Sequence, residues 1–272
     1  MALSRAEFSG NSGAMDGDGQ GFSTAPLLTA VPWLIHGFGR AGFGEEDLRA
    51  STALRGFRPV VMRQLHSDII RRLEGPPAAK LEGDALMTDV RGLLLVIRTA
   101  DCLPVLLADA GHRAVAAVHC GWRGTEKRIL EKTVRAMAGA YGTRPEDLVA
   151  ALGPSIGAAC YEVGPEVREA FSRAGFPAAI FTLAAVREAD RQGHGPTVHV
   201  PASSDAATPP RGAARSCLDL RAANTWLLEA LGVKRAGIWS SEACTHCDPG
   251  LLSYRRHRGE PRRMLNFIGI RE

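Results

Sequence analysis

The sequence predicts an α+β domain in three layers, a mixed β-sheet flanked by helices, and three observations carry that expectation. Apolar runs of strand length cluster before the first helical pattern and recur near the C-terminus, so strict strand–helix alternation is absent. Three other segments show the 3.6-residue period of a helix with one apolar face, and each closes on glycine. No internal repeat is present, and 272 residues suffice for one large core without disulfide staples.

Taken in order, residues 1–26 are rich in Gly, Ser, Ala and Asp and read as a disordered leader, leaving 27–272 as a single domain. Order is expected to begin near Trp33, where LIHGF follows. Further strands are expected at 59–66, 68–73, 92–98, 103–109 and 113–119, the last three almost continuously apolar, as in a sheet covered on both faces. The first helix is expected over 124–142, with Ile129, Leu130, Val134, Met137 and Ala138 in one stripe. A second covers 165–175 with proline in its first turn, and a third covers 218–232 with Ala223, Trp226, Leu227, Ala230 and Leu231 on one side. Between these two lies PASSDAATPPRGAARS, residues 201–216, whose Pro/Ser/Ala content predicts a mobile surface loop. Strands at 235–240 and 264–270 finish the chain.

Composition excludes several function classes. The chain is 45% apolar and 23% charged, with a formal charge of +4 spread along its length, so no basic face or tail points to nucleic acid. The longest apolar stretches are far too short to cross a bilayer, and the N-terminus lacks the apolar run of a signal peptide. Six cysteines in a chain of this size do not form the dense pattern of a secreted scaffold. A reducing cytoplasm is the expected compartment, with thiols available as ligands or nucleophiles.

Three segments carry the chemistry: QLHS at 64–67, TADCLP at 99–104 and VHCGWRG at 118–124. Each places an imidazole or thiol where an apolar strand gives way to a polar turn, which is where sheet-based enzymes expose reactive groups. His66, Cys102 and His119 would offer a zinc ion three ligands and leave one position open, the pattern of a catalytic site. Spacing alone does not bring them together, because they lie on different elements; a core thiol and hydrogen-bonded imidazoles remain the plain alternative. Cys120 follows His119 directly and is expected on the opposite face of the strand. Cys244-Thr-His-Cys247 has zinc-knuckle spacing but lacks a second pair nearby, and His36 reads as a packed, hydrogen-bonded histidine. Asp84, Asp89 and Asp101 are candidates to orient a ligand histidine or to act as general base. Arg255 and Arg256, in the densest basic run, and Arg40, on a glycine-rich turn, are candidates to bind an oxyanion such as phosphate.

The segments TADCLP, AAVHCGWRGT, GPSIGAACYEVG, CLDLRAAN and CTHCDPGLLSYRRHRGEPRRMLNFIG, from about Trp33 onward, together resemble the YfiH family. Its members are described as multicopper polyphenol oxidases or laccase-domain proteins and as purine nucleoside phosphorylases. The resemblance implies a cytoplasmic monomer with a mixed sheet flanked by helices, and zinc on His66, Cys102 and His119. It implies phosphorolysis of adenosine, inosine, guanosine and methylthioadenosine, which suits an arginine anchoring phosphate, and deamination of adenosine; of the carboxylates read from the residues themselves, Asp84 and Asp101 are taken as the catalytic pair. The chain departs from the family around Arg40, where the usual Thr-Arg-x-Gly-Gly reads Gly39-Arg-Ala-Gly42 and the following segment is shortened.

Two rival chemistries remain. Copper is a possible occupant of the same N/S site, but the eight histidines are scattered without a His-x-His pair, which argues against a multicopper oxidase. A Cys–His hydrolase with Cys102 as nucleophile uses the same residues and differs in surviving chelation.

Overall fold

The computed structural model describes residues 21–111, 113–183 and 216–272. Most of the expected leader and residues 201–215 of the expected loop lie outside the described residues. Compact contacts divide the chain into two units, one running to Gly157 and resuming at Leu220–Glu272, the other Ala158–Asp219.

The larger unit opens with β1 (Phe22–Ser23), α1 (Pro26–Thr29), β2 (Leu34–Gly39) and α2 (Glu45–Ala50). It continues through β3 (Arg58–Val60), β4 (Met62–Arg63), β5 (Ile70–Leu73), β6 (Leu81–Glu82), β7 (Ala85–Thr88) and β8 (Leu93–Thr99). Then come β9 (Leu103–Asp109), β10 (Ala114–Cys120), α3 (Trp122–Glu126), α4 (Ile129–Tyr141) and β11 (Leu148–Leu152). The smaller unit holds β12 (Glu162–Val163), α5 (Pro165–Arg173), β13 (Phe181–Leu183) and β14 (Ser216–Leu218), with β14 central in a three-stranded sheet. The chain then returns to the larger unit with α6 (Leu220–Ala230), β15 (Ile238–Ser240) and β16 (Met264–Ile270).

The mixed α/β class holds, and the strands of the larger unit are shared between two principal sheets where one was expected. The five-stranded sheet has the order β1-β2-β16-β8-β3, and the six-stranded sheet β15-β11-β9-β10-β7-β5. Each mixes antiparallel ladders with parallel pairs, β3 with β8 in the first and β11 with β15 and β5 with β7 in the second. They face each other across one core. Leu34, Phe38, Leu95, Ile97 and Ile268 enter it from the first sheet, and Leu86, Leu106, Val115, Ala117 and Ala151 from the second. This is why the long strands read as unbroken apolar runs. Alternate residues of the first sheet, Ile35, Leu94, Val96, Leu265 and Phe267, face outward under Leu48 of α2 and Leu54. The outer face of the second sheet carries α4, packed on β10 and β7 through a stripe including Ile129, Leu130, Val134 and Met137.

Three expectations are corrected. Order begins before residue 27: β1 pairs with β2 at Phe22↔Gly39, and Phe22 and Ala25 are buried, because an apolar pair flanked by polar residues is enough to cap a sheet edge. The helix expected from 124 to 142 is two helices, since Arg128 sits at φ 61, in the left-handed region that ends α3 and redirects α4. The strand expected over 59–66 stops at Arg63, and 64–66 form the turn that presents His66. Gly142 ends α4 at φ 71, as its position predicts. Among the described residues, no helix is long and apolar enough to cross a membrane.

His36 on β2 is packed as expected. It is 4% exposed, and its Nε2 accepts the Ala25 amide at 2.8 Å, which requires a neutral ring. Burial pushes its pKa from 6.5 to about 4. The unfolded chain therefore binds the extra proton first, so the contribution is complete above about pH 6.5 and is lost as pH falls through about 4. Urea unfolding across this range is expected to show a stability loss on the order of 2–3 kcal/mol, diminished in His36→Gln. Equal pH slopes for the two proteins would contradict the assignment.

Candidate metal centre

Strand register assembles the centre. In the β9–β10 hairpin Cys120 lies opposite Leu103, so Cys102, one residue before β9, falls at the same end as His119. On the other side of β10, Val118 lies opposite Ala85, and the His119 amide donates to the Asp84 carbonyl at 2.8 Å. The Asp84 and His119 side chains therefore stand side by side, with His119 Nδ1 2.8 Å from Asp84 Oδ1. With Nδ1–H donating to this carboxylate, Nε2 keeps its lone pair for a metal.

Asp84 also brings in the third element. Its carboxylate accepts the main-chain amides of Leu65 (3.2 Å), His66 (3.0 Å) and Ser67 (2.6 Å), and the Ser67 hydroxyl at 2.6 Å. These bonds hold the turn in which His66 takes φ 56, an unfavourable conformation for a residue with a side chain. Gln64 ties down the near end of the turn: its amide group donates to the Arg98 carbonyl at 2.8 Å and accepts the Arg98 amide at 2.7 Å.

The result is a cluster in which the ligand atoms of His66, Cys102 and His119 all lie within 4.8 Å of one another. Cys102 Sγ is 3.9 Å from His66 Nε2, and the two imidazoles meet edge to face at 4.9 Å between centroids. His119 is buried, Cys102 half-buried and His66 exposed, so the cluster opens to solvent on the His66 side. Gly121 forms part of its wall: a Cβ there would come 3.0 Å from Cys102 Sγ and 3.2 Å from His66 Cδ2. Only a residue without a side chain lets the backbone pass so close.

Electrostatics favours a thiolate–imidazolium pair, from which a metal ion binding at Nε2 of His119 displaces a proton. Burial would raise the Asp84 pKa, but the bonds from His119 and Ser67 outweigh it and hold the carboxyl at about 2. Burial likewise opposes ionisation of Cys102, and the neighbouring His119 and His66 reverse it, driving the thiol toward thiolate. His119 is disfavoured as a cation by burial but raised above its ordinary value by Cys102 and Asp84. A thiolate beside imidazoles held by a buried carboxylate is the donor set of a transition-metal site. Cys120 does not join it. It is fully buried on the opposite face of β10, and burial pushes its thiol well above the usual range.

The remaining candidates fall elsewhere. Asp101 adjoins Cys102 and is 8% exposed at φ 82, but both its carboxylate oxygens are engaged, Oδ1 by the Thr245 hydroxyl and Oδ2 by the Arg255 amide, each at 2.6 Å. Asp89 is exposed beyond the far end of β7. Arg256 is corrected: its guanidinium donates to the carbonyls of Thr245, His246, Asp248 and Leu251 at 2.5–3.0 Å, so it braces a loop where an anion ligand was expected. The Arg40 guanidinium lies against Gly250, where a Cβ would displace it. Gln64, Ser67, Gly121 and Thr245 were not singled out from sequence; the polar residues flanking His66 within QLHS were the available signal.

A family model described as multi-copper polyphenol oxidoreductase laccase matches residues 45–271. The chain belongs to this family. Among its relatives, a Deinococcus radiodurans protein named purine nucleoside phosphorylase is 38% identical over 70% of the chain and 62% of its own length. A protein named adenosine deaminase RL5, from an unknown prokaryotic organism, is 38% identical over 62% of the chain and 55% of its own length. The chain thus spans less than two thirds of the length of these curated relatives. The crystal structure of the Bacillus licheniformis hypothetical protein YfiH shares the family fold at 23% identity, with a TM-score of 0.76 over 95% of this chain and 98% of that one.

Two substitutions test the construction. Asp84→Asn, which turns an acceptor of several N–H groups into a partial donor, is expected to lower metal affinity about 10–100-fold, read with zinc as the probe ion in chelator competition; unchanged affinity would refute the role of Asp84. Gly121→Ala is expected to weaken zinc binding while leaving the far-ultraviolet circular dichroism intact, because its Cβ meets Cys102 and His66 and no core residue. A fully zinc-competent Gly121→Ala protein would show that the ligands stand farther from this wall.

Proposed function

We propose that the chain is a zinc-dependent purine nucleoside phosphorylase that also deaminates adenosine, with His66, Cys102 and His119 as metal ligands. The observation that carries the proposal is the convergence of these three ligand atoms within 4.8 Å around an opening to solvent. The names of relatives support the reaction class. Two nitrogens and one sulfur suit a borderline-soft ion, and three protein ligands leave room for a fourth. Among the described residues this is the one histidine-containing cluster, whereas a trinuclear copper centre needs many imidazoles. When bound, zinc supplies Lewis acidity at neutral pH.

The chain's own residues supply position and charge. Asp84 orients His119 and fixes the His66 turn, acting through the ligands. Its bonds leave it a weak base, and Asp101 is similarly engaged, so both are assigned positioning roles where proton transfer was first considered. Phosphate binding is assigned to Arg255 and Arg40. The case for Arg255 is its main-chain bond to Asp101, the neighbour of Cys102. Adenosine, inosine, guanosine and methylthioadenosine are the proposed nucleosides, handled by a cytoplasmic monomer.

Purified protein is expected to hold about one zinc per chain and to release purine base from inosine only with phosphate. Cys102→Ala is expected to lose metal and turnover together. A zinc-loaded protein that neither phosphorolyses nor deaminates purine nucleosides would overturn the proposal. The thiolate character of Cys102 beside His119 favours one second reading, a cysteine nucleophile. That reading requires full activity after chelation, and the zinc reading requires its loss.

A further inference from the structure

The turn Cys244-Thr245-His246-Cys247 lies in the larger unit, and its two thiols take no part in the chemistry above. The Cys247 amide donates to the Cys244 carbonyl at 3.1 Å, and the Asp248 amide donates to the same oxygen at 2.9 Å. Such a turn keeps its end Cα atoms within about 7 Å, and a disulfide spans roughly 4.4–6.8 Å between Cα atoms. The two sulfurs already lie within 4.8 Å of each other. Cys247 is exposed and open to a soluble oxidant, while Cys244 is half-buried with its sulfur accepting the Gly157 amide at 3.1 Å. Burial opposes ionisation of Cys244, but the amides of Gly157, Cys247 and His246 outweigh it and lower its pKa below the usual thiol range.

The cradle of this sulfur is one residue away from two of the bonds that hold Asp101. Thr245, next to Cys244, donates its hydroxyl to Asp101 Oδ1 at 2.6 Å. Ile156, next to Gly157, donates its amide to the Asp101 carbonyl at 2.9 Å. Asp101 needs such support, since it holds φ 82 without being glycine and directly precedes Cys102. A bond from the Cys244 sulfur to Cys247 would compete with the bond from the Gly157 amide and load the peptide that joins Cys244 to Thr245.

We propose that Cys244 and Cys247 form a reversible thiol–disulfide site, oxidised by low-molecular-weight disulfides, whose closure loosens Asp101 and the adjoining Cys102. With glutathione disulfide, the Cys247 thiolate attacks one sulfur, the S–S bond of the oxidant breaks, and one glutathione thiolate departs. The Cys244 thiolate then attacks Cys247 Sγ in the mixed disulfide and expels the second. The cysteine pair is oxidised, one glutathione disulfide is reduced to two thiols, and the two protein thiol protons pass to those products.

The full chain as purified is equilibrated in glutathione buffers of rising oxidised fraction, quenched with an alkylating agent and peptide-mapped. Amide hydrogen exchange is then compared for the oxidised and reduced proteins. The expected result is a Cys244–Cys247 bond reversed by dithiothreitol, with exchange over residues 100–103 several-fold faster in the oxidised form and unchanged over 85–88. Cys244→Ser is expected to retain glutathione on Cys247, and Cys247→Ser, altered at an exposed position, to show neither the bond nor the faster exchange. Full alkylation of both thiols at the highest oxidant, a bond from Cys244 to any other cysteine, or equal exchange over 100–103 in both forms would overturn the proposal. The disulfide map involves neither zinc nor nucleosides, so it stands or falls apart from the enzymatic reading.

Discussion

The Asp84 carboxylate is completely buried, and a buried carboxylate is sustainable only when its oxygens are filled with donors. Here three consecutive amides, one hydroxyl and one imidazole converge on it. The same bonds that satisfy the charge shape the centre. They bend residues 65–67 into a turn that places His66 opposite His119, and they choose the face of His119 that remains available. Loss of the carboxylate would leave a ring of inward-pointing donors without an acceptor, so Asp84 serves folding and chemistry through one set of contacts. Its carboxyl is held at about 2, so the hub stays charged through the physiological range.

Around this hub the two sheets act as a frame. The ladders of β7, β10 and β9 put Asp84, His119 and Cys102 at one end of the six-stranded sheet, and a one-residue slip would turn His119 to the face occupied by Cys120. Register is enforced by burial, since residues of β9 and β10 pack against the five-stranded sheet on one face and β10 lies under α3 and α4 on the other. Strain gathers where the frame ends. Of the four residues other than glycine with positive φ among those described, His66 is a candidate ligand and Asp101 adjoins another. Both are held by several hydrogen bonds, which fits strain sustained for position.

Much of this was legible in the residues, and the limits are instructive. β9 and β16 begin and end where their apolar runs do, and the stripe on α4 contains the residues that its period picks out. The candidate ligands stood out because imidazole and thiol are uncommon at the ends of strands. The division into two sheets was not legible, because a continuous apolar run reports burial on both faces and not which sheet covers it. β7 escaped because four residues are too few to display a period. For Asp84 the sequence leaves two roles open, orienting a ligand histidine or moving a proton, and for Arg256 it suggests an anion, because charge in a sequence points to ligand or proton chemistry while only the fold shows the bonds already made. Arg256 spends its guanidinium on main-chain carbonyls, a use that leaves no pattern in composition.

Asp84 organises a mixed imidazole–thiol centre. Its most direct test is X-ray absorption at the zinc edge of the loaded protein. One sulfur and two imidazole nitrogens, with a lighter donor completing the shell, is the coordination expected from His66, Cys102 and His119. A shell without sulfur, or with two or more sulfurs, would contradict it.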